Sequence, residues 1–290
     1  MATLTATPPA TGNSARRSAA AVSRAAFGAL LLRDLTVLRK SLGIFIARTL
    51  IQPFLLVFVF LYVFPQIGEG IGSNSPGGLS MFATVLVAGV VGLSIMFQGI
   101  QAVALPLANE FGYTKEIEDR VLAPLPVAWV AIGKVVAGAI QGLIAALIVF
   151  PIAAVVHAQG VHPNLTVHWA ELITMIPLTC IMTSSLGLIL GTRIEPRSIS
   201  LMFGFIILPL VFLGGTYYPW TALSAVKVGP FPWLQALVLL NPLIYVTEGF
   251  RAALTTAPHM PLFAIYAALL VLCALFLWAG IRGFYRRVLS

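Results

Sequence analysis

Apolar residues along the chain run in long blocks almost free of charge, and polar residues gather in the gaps between them. A helix needs about 20 residues to cross ~30 Å of hydrocarbon at 1.5 Å per residue. Six blocks approach or exceed that length, at about 44–64, 80–105, 135–156, 170–191, 200–218 and 263–281. The pattern predicts an all-α integral membrane fold with six transmembrane helices. Pro53 lies inside the first block and predicts a kink there. Arg48 lies one turn inside the same block, where its stem can carry the charge back to the headgroups.

Two further segments differ from these blocks. Phe27, Leu31, Leu35, Leu38 and Leu42 share one helical face, with Arg33, Thr36 and Lys40 opposite. Residues 24–42 are therefore expected to form an amphipathic helix in the membrane interface. Arg24 and Asp34 fall on or near its apolar side and leave the stripe imperfect. Residues 219–260 are apolar but are interrupted by Pro219, Pro230, Pro232 and Pro242. Their longest clean piece, 233–240, is too short to cross, so short re-entrant helices on the outer side are expected before the last span. Trp220 and Trp233 suit that interface. Residues 1–22 are rich in Ala, Thr, Ser and Pro and read as a disordered cytoplasmic tail with no cleavable signal.

Composition agrees with the block pattern. The chain is 59% hydrophobic and 9% charged, with a mean hydropathy of +0.99, whereas soluble domains carry roughly 25% charged residues. The net charge of +8 does not point to nucleic acid, because the basic residues sit at the edges of apolar blocks, where they meet anionic headgroups. With six spans, fifteen of the seventeen Lys and Arg fall on one side, and only Lys227 and Arg251 on the other. Both termini are then cytoplasmic and the chain is a multi-pass protein of the cell (inner) membrane.

Catalytic and metal chemistry has little to stand on. GxxxxGK[ST] is absent, and the single Gly-Lys pair, Gly133-Lys134, continues into Val135. Cys180 and Cys273 lie near the middle of apolar blocks and read as packing residues. His157, His162 and His168 share one outer loop without metal-ligand spacing. The centres of the spans offer neutral polar groups, among them Gln52, Gln98, Gln101 and Gln141, rather than the midplane acids and bases of proton- or ion-coupled carriers. Gln52, Gln98 and Gln101 are candidates for lining a pathway. If the protein drives transport, energy enters from outside the bilayer.

Two polar clusters remain. The cytoplasmic segment 110–126, EFGYTKEIEDRVLAPLP, can form a short helix over 114–122 with i,i+4 pairs Lys115–Asp119 and Glu116–Arg120, ended by Pro124 and Pro126. It is either a docking element or a solvated loop. In the segment NPLIYVTEGFR, Asn241-Pro242 signals a turn, and Tyr245, Glu248 and Arg251 follow on one helical face. Glu248 can pair with Arg251, either to anchor the re-entrant turn or to contact substrate.

Three stretches then resemble the permease subunits of ABC-2-type transporters, the type V-like exporters of the daunorubicin-resistance and nodulation-factor kind. They are EIEDRVLAPLPVAWVAIGKVVAG at 116–138, FLGGTYYPWTAL at 212–223 and WLQALVLLNPLIYVTEGFRAAL at 233–254. With the span layout the resemblance covers about 24–287. It implies a transmembrane domain over 43–287 preceded by a connecting helix at 24–42. It implies a coupling helix whose candidate residues are Phe111, Tyr113, Lys115, Glu116, Asp119 and Arg120. It further implies an extracellular signature of Asn241, Pro242, Tyr245, Glu248 and Arg251. The chain itself would bind no cofactor. ATP and Mg would belong to a separate P-loop ATPase subunit, and a second permease copy or homologue would complete the exporter. An uncharged path favours amphipathic or hydrophobic cargo such as a drug, lipid or glycolipid. The alternative is an ion-coupled secondary transporter or channel.

Overall fold

Residues 19–67, 77–114, 117, 125–155 and 163–289 are described in the computed structural model. Five helices are long and apolar enough to cross a membrane: α2 (Leu42–Gln66), α3 (Gly78–Gly112), α4 (Val127–Val155), α5 (Trp169–Arg193) and α9 (Leu262–Val288). Around them stand α1 (Ala19–Lys40), the short α6 (Ile199–Phe212), and α7 (Trp233–Leu240) followed by α8 (Pro242–Leu254). Among the described residues the protein is all-α, with isolated bridges at Leu165–Thr255 and Val228–Phe231.

α3 is the axis of the bundle. Of its most apolar 18-residue stretch, 83% is buried, against 11% for α9 at the rim. It can sit at the centre because small residues let its neighbours approach, the usual device where lipid supplies no hydrophobic drive between helices. A Cβ on Gly187 of α5 would stand 2.7 Å from the carbonyl of Ile100 on α3, so only glycine fits this crossing. At 35 residues α3 is about 52 Å long, well beyond the ~30 Å hydrocarbon. Its last turns therefore project past the membrane core. Within α2, Pro53 is buried and a π-helical turn spans Val59–Val63.

The fifth block differs from its expected 200–218. The helix stops at Phe212 after 14 residues, about 21 Å, too short to cross alone. Gly215 adopts φ +69° and turns the chain back, and a Cβ on Gly214 would collide with Leu243. Hydropathy misses this stop because Leu213, Tyr217 and Tyr218 keep the block apolar. α7 and α8 meet at Asn241 with a bend of 99°. Leu243 at the start of α8 lines a small gap with Leu93 and Met96, mid-way along α3, and with Leu210 of α6. At its other end, Leu254 and Ala253 accept hydrogen bonds from Thr166 and His168 in the connection before α5. α8 thus runs from the depth at which α6 stops to the rim shared by the starts of α5 and α9.

Candidate functional site

Breaking a helix inside a bilayer exposes carbonyls and amides that lipid cannot satisfy. The segment from Asn241 to Arg251 supplies partners for those groups. Asn241 accepts from the amide of Leu243 (2.9 Å), capping α8, and its Nδ2 donates to the carbonyl of Leu210 (2.8 Å) at the end of α6. Pro242 occupies the first helical position, where its missing N–H is harmless. Tyr245 donates its hydroxyl to Leu239 in α7 (2.9 Å), and Thr247 donates to Gly214 (2.6 Å).

Glu248 and Arg251 complete the set, and both are fully buried. Arg251 Nη1 pairs with Glu248 Oε1, while Nη2 donates to the carbonyls of Gly215 (2.8 Å) and Tyr218 (3.4 Å). Glu248 Oε1 accepts from the amide of Trp220, and Oε2 from the amide of Met260, each at 2.7 Å. One ion pair therefore ties the turn after α6, the helix α8 and the strand-like entry to α9. Hydrogen bonds to a charged group contribute about 1.5–3 kcal/mol each, so this cluster stabilises the junction of these three segments. The geometry favours the anchoring reading of the pair over substrate contact, since neither side chain reaches the surface.

A second ionic cluster lies at the opposite end. Lys134 on α4 is 7% exposed and sits 2.7 Å from Glu110 Oε1 on α3 and 3.3 Å from Asp34 Oδ2 on α1. Asp34, out of place on an apolar stripe, is the residue that docks α1 on Lys134. Phe27 reinforces the contact edge-to-face on Trp129, with ring centroids 5.5 Å apart. Next to this triad α1, α2, α3 and α4 enclose an open cavity of about 650 Å³, lined in part by Ser41, Arg48, Gln98, Gln101, Asn109 and Gln141. Arg48 is exposed, and its guanidinium faces this cavity. It donates to Gln101 Oε1 across the cavity. Gln98 is buried and donates to Thr49 (2.7 Å). A smaller void of about 130 Å³ continues from it and is lined by Gln52, Gln98, Gln101 and Arg48 together. The three glutamines chosen by polarity alone thus line one small void, and Gln52 is its exposed member.

At the projecting end of α3, Phe111 packs against Phe284 of α9 with centroids 5.7 Å apart, and the Arg287 guanidinium lies 4.9 Å over the Phe111 ring. Arg287 also donates to the carbonyls of Thr192 (2.7 Å) and Ile194 (3.2 Å) at the end of α5. Tyr113 is 66% exposed, and Ile117 is buried with Val103, Leu107 and Val130. Lys115, Glu116, Asp119 and Arg120 lie outside the described residues, and with them the expected i,i+4 pairs. His157 and His162 also lie outside, while His168 is bonded through Nδ1 to the Ala252 carbonyl (2.9 Å). Among the described residues no group of His, Cys, Asp and Glu has the geometry of a metal site.

The family model for ABC-2 type transporters matches residues 25–255, from α1 to the end of α8. The chain belongs to the ABC-2 type transporter family. It is similar to the inner membrane transport permease YadH of Escherichia coli K12, at 28% identity over 233 residues, which cover 79% of this chain and 84% of YadH. The Shigella flexneri permease of the same name matches to the same extent. As a member of this family the protein is a transmembrane ABC transporter permease, and the family implies an ATPase subunit as its partner.

Sequence reasoning found the first cluster because Glu248 and Arg251 are three residues apart. It missed the triad around Lys134, whose members are separated by 24 and 100 positions along the chain. Two signals pointed there: an acid on the apolar stripe of α1, and a lysine opening an otherwise uncharged span.

Proposed function

We propose that this permease is the membrane half of an ATP-driven exporter that moves an amphipathic or hydrophobic substrate, such as a drug, lipid or glycolipid, out of the cytoplasm or inner leaflet. The observation that carries the reading is the family match across residues 25–255. The name of the relative, an inner membrane transport permease, supports placing this chain in the inner membrane, and the lopsided Lys and Arg distribution supports cytoplasmic termini.

A separate P-loop subunit binds ATP and Mg and hydrolyses the nucleotide. Two permeases, identical or homologous, and two ATPases make the working unit. The segment around Phe111 to Arg120 is the coupling element. Phe111 is wedged against Phe284 and Arg287, so a push on this segment reaches the ends of α3, α5 and α9 together. α1 is the interfacial helix, and α7 with α8 is the re-entrant pair that closes the outer side. Asn241, Pro242, Tyr245, Glu248 and Arg251 hold that closure. The polar passage lined by Gln52, Gln98 and Gln101 opens beside α1, which supports entry of a substrate with a polar head from the inner leaflet.

Co-purification with the candidate ATPase, followed by ATP turnover with and without the permease, tests the assignment. A stable complex with altered turnover is expected, and failure of any ATPase to bind under mild conditions would defeat it. Reversing charge at both Glu116 and Arg120 is expected to leave insertion intact while uncoupling hydrolysis from transport. Unchanged transport would remove the coupling role from this segment.

A further inference from the structure

A second cleft, of about 540 Å³, opens on the rim of the bundle between the ends of α5 and α9. Among the described residues it is lined by Thr192, Arg193, Trp278, Arg282, Gly283, Arg286 and Arg287, with no acidic side chain among them. Glu195, the nearest acid along the chain from Arg193, is not part of the lining. Four guanidinium groups from two helices therefore face one space. Arg287 is tethered to the Thr192 and Ile194 carbonyls, which fixes one wall. Arg193, Arg282 and Arg286 are exposed.

The position of the cleft selects among anions. Trp278 is 63% exposed, and the Arg282 guanidinium carbon lies 5.4 Å from its ring centroid. A tryptophan so placed marks the level of the headgroups. One turn and two turns deeper along α9, Leu275 and Val271 are also exposed, at 52% and 64%. Below a basic pocket there is thus an apolar track on the outside of the bundle. Basic pockets between membrane helices at this depth suit phosphate-bearing headgroups, and guanidinium recognises phosphate in a bidentate manner.

We infer that this cleft is a binding site for an anionic phospholipid, with its phosphate held by Arg193, Arg282 and Arg286 and an acyl chain lying along α9 over Leu275 and Val271. A lipid with two phosphates fits these three exposed arginines better than a lipid with one. The site is separate from the passage beside α1, so bound lipid is a structural ligand at the α5–α9 rim and not cargo. Because Arg287 also covers Phe111, the lipid braces the same helix ends that carry the candidate coupling segment. The inference requires only that the chain is embedded in a bilayer and does not rest on the exporter reading.

Native mass spectrometry of the full chain in detergent tests it, with phosphatidylcholine, phosphatidylglycerol or cardiolipin added at equal mole fraction. The expected result is retention of the anionic lipids over phosphatidylcholine, with cardiolipin strongest. Replacing Arg282→Gln and Arg286→Gln is expected to cut that retention about fivefold per arginine, the factor for ~1 kcal/mol per basic residue at an anionic surface. The control removes the same charge from α1, with Arg24→Gln and Arg39→Gln, and is expected to leave retention within twofold. Equal loss from both variants would mean generic surface attraction and overturn the site. So would unchanged retention in the α9 variant. A second measurement does not depend on variant arginines. Brominated phosphatidylglycerol is expected to quench the parent more than Trp278→Phe, and equal quenching would also overturn the proposal.

Discussion

The two buried ion clusters of this permease make a useful comparison. Glu248 and Arg251 are fully enclosed, and their partners besides each other are backbone groups of the turn after α6 and of the entry to α9. Asp34, Glu110 and Lys134 join three helices side chain to side chain and border a cavity of about 650 Å³. Both remove charge from lipid, but they differ in what would be left behind if the charges vanished. Around Glu248 and Arg251, the amides of Trp220 and Met260 and the carbonyl of Gly215 would lose their partners. Around Lys134, the lost contacts would be ion pairs between side chains, beside a cavity that water can reach. The first arrangement closes off backbone groups, and the second joins α1 and α3 to α4 through side chains.

Substitutions in the two clusters test this contrast. The largest effect is expected from Arg251→Met, which leaves Glu248 buried and unpaired. Breaking one side of a buried pair costs about 3–5 kcal/mol, so the variant should be recovered poorly from membranes and unfold well below the parent in a detergent melt. The joint change of Glu248 and Arg251 to Met is the sharper experiment. Isolated buried pairs are often replaced by apolar residues at little cost. Here the orphaned backbone groups should keep the double variant destabilised by about 2 kcal/mol or more, and a full return to parental stability would show that the cluster is only an ion pair.

The next effect concerns Lys134→Met, which leaves Asp34 and Glu110 facing each other. A loss of about 2 kcal/mol is expected, smaller than at Arg251 because the cavity admits water. Adding Asp34→Asn and Glu110→Gln should restore most of it. If the triple variant stays as unstable as the single one, the Lys134 cluster is as closed as the Glu248–Arg251 cluster. Asn241→Ala removes a helix cap and the donor to Leu210, and about 1–2 kcal/mol should follow. The smallest stability change, under about 1 kcal/mol, is expected for Gln98→Leu, which deletes the bond to Thr49 next to open space. If the passage carries substrate, that variant should alter transport while the Arg251 variants alter folding.

The helices α2, α3, α4, α5 and α9 were legible in the hydropathy of the chain, with boundaries extended by several residues in α3 and α4. α6 was not, because its end is set by Gly214 and Gly215 fitting against Leu243 and Ile244, a contact between segments almost thirty residues apart. The 99° elbow at Asn241 was foreshadowed by the Asn-Pro pair, but the depth it reaches depends on Leu243 meeting the middle of α3. Arg48 shows the same limit. Its position in the block gave no sign that Gln101, 53 positions along the chain, would accept from its guanidinium.

Membrane residence and five of the six expected long helices were decided by the sequence alone, because transfer of apolar residues into lipid is local and sums along each block. The i,i+3 spacing of Glu248 and Arg251 was likewise sufficient to pair them, since a helix brings such residues together without help. What closes the broken span, which lysine meets which acids, and where polar groups gather into a passage were decided only by the tertiary structure. Those outcomes depend on backbone groups and side chains brought together from distant parts of the chain, and a bilayer leaves each of them no water to bond with instead.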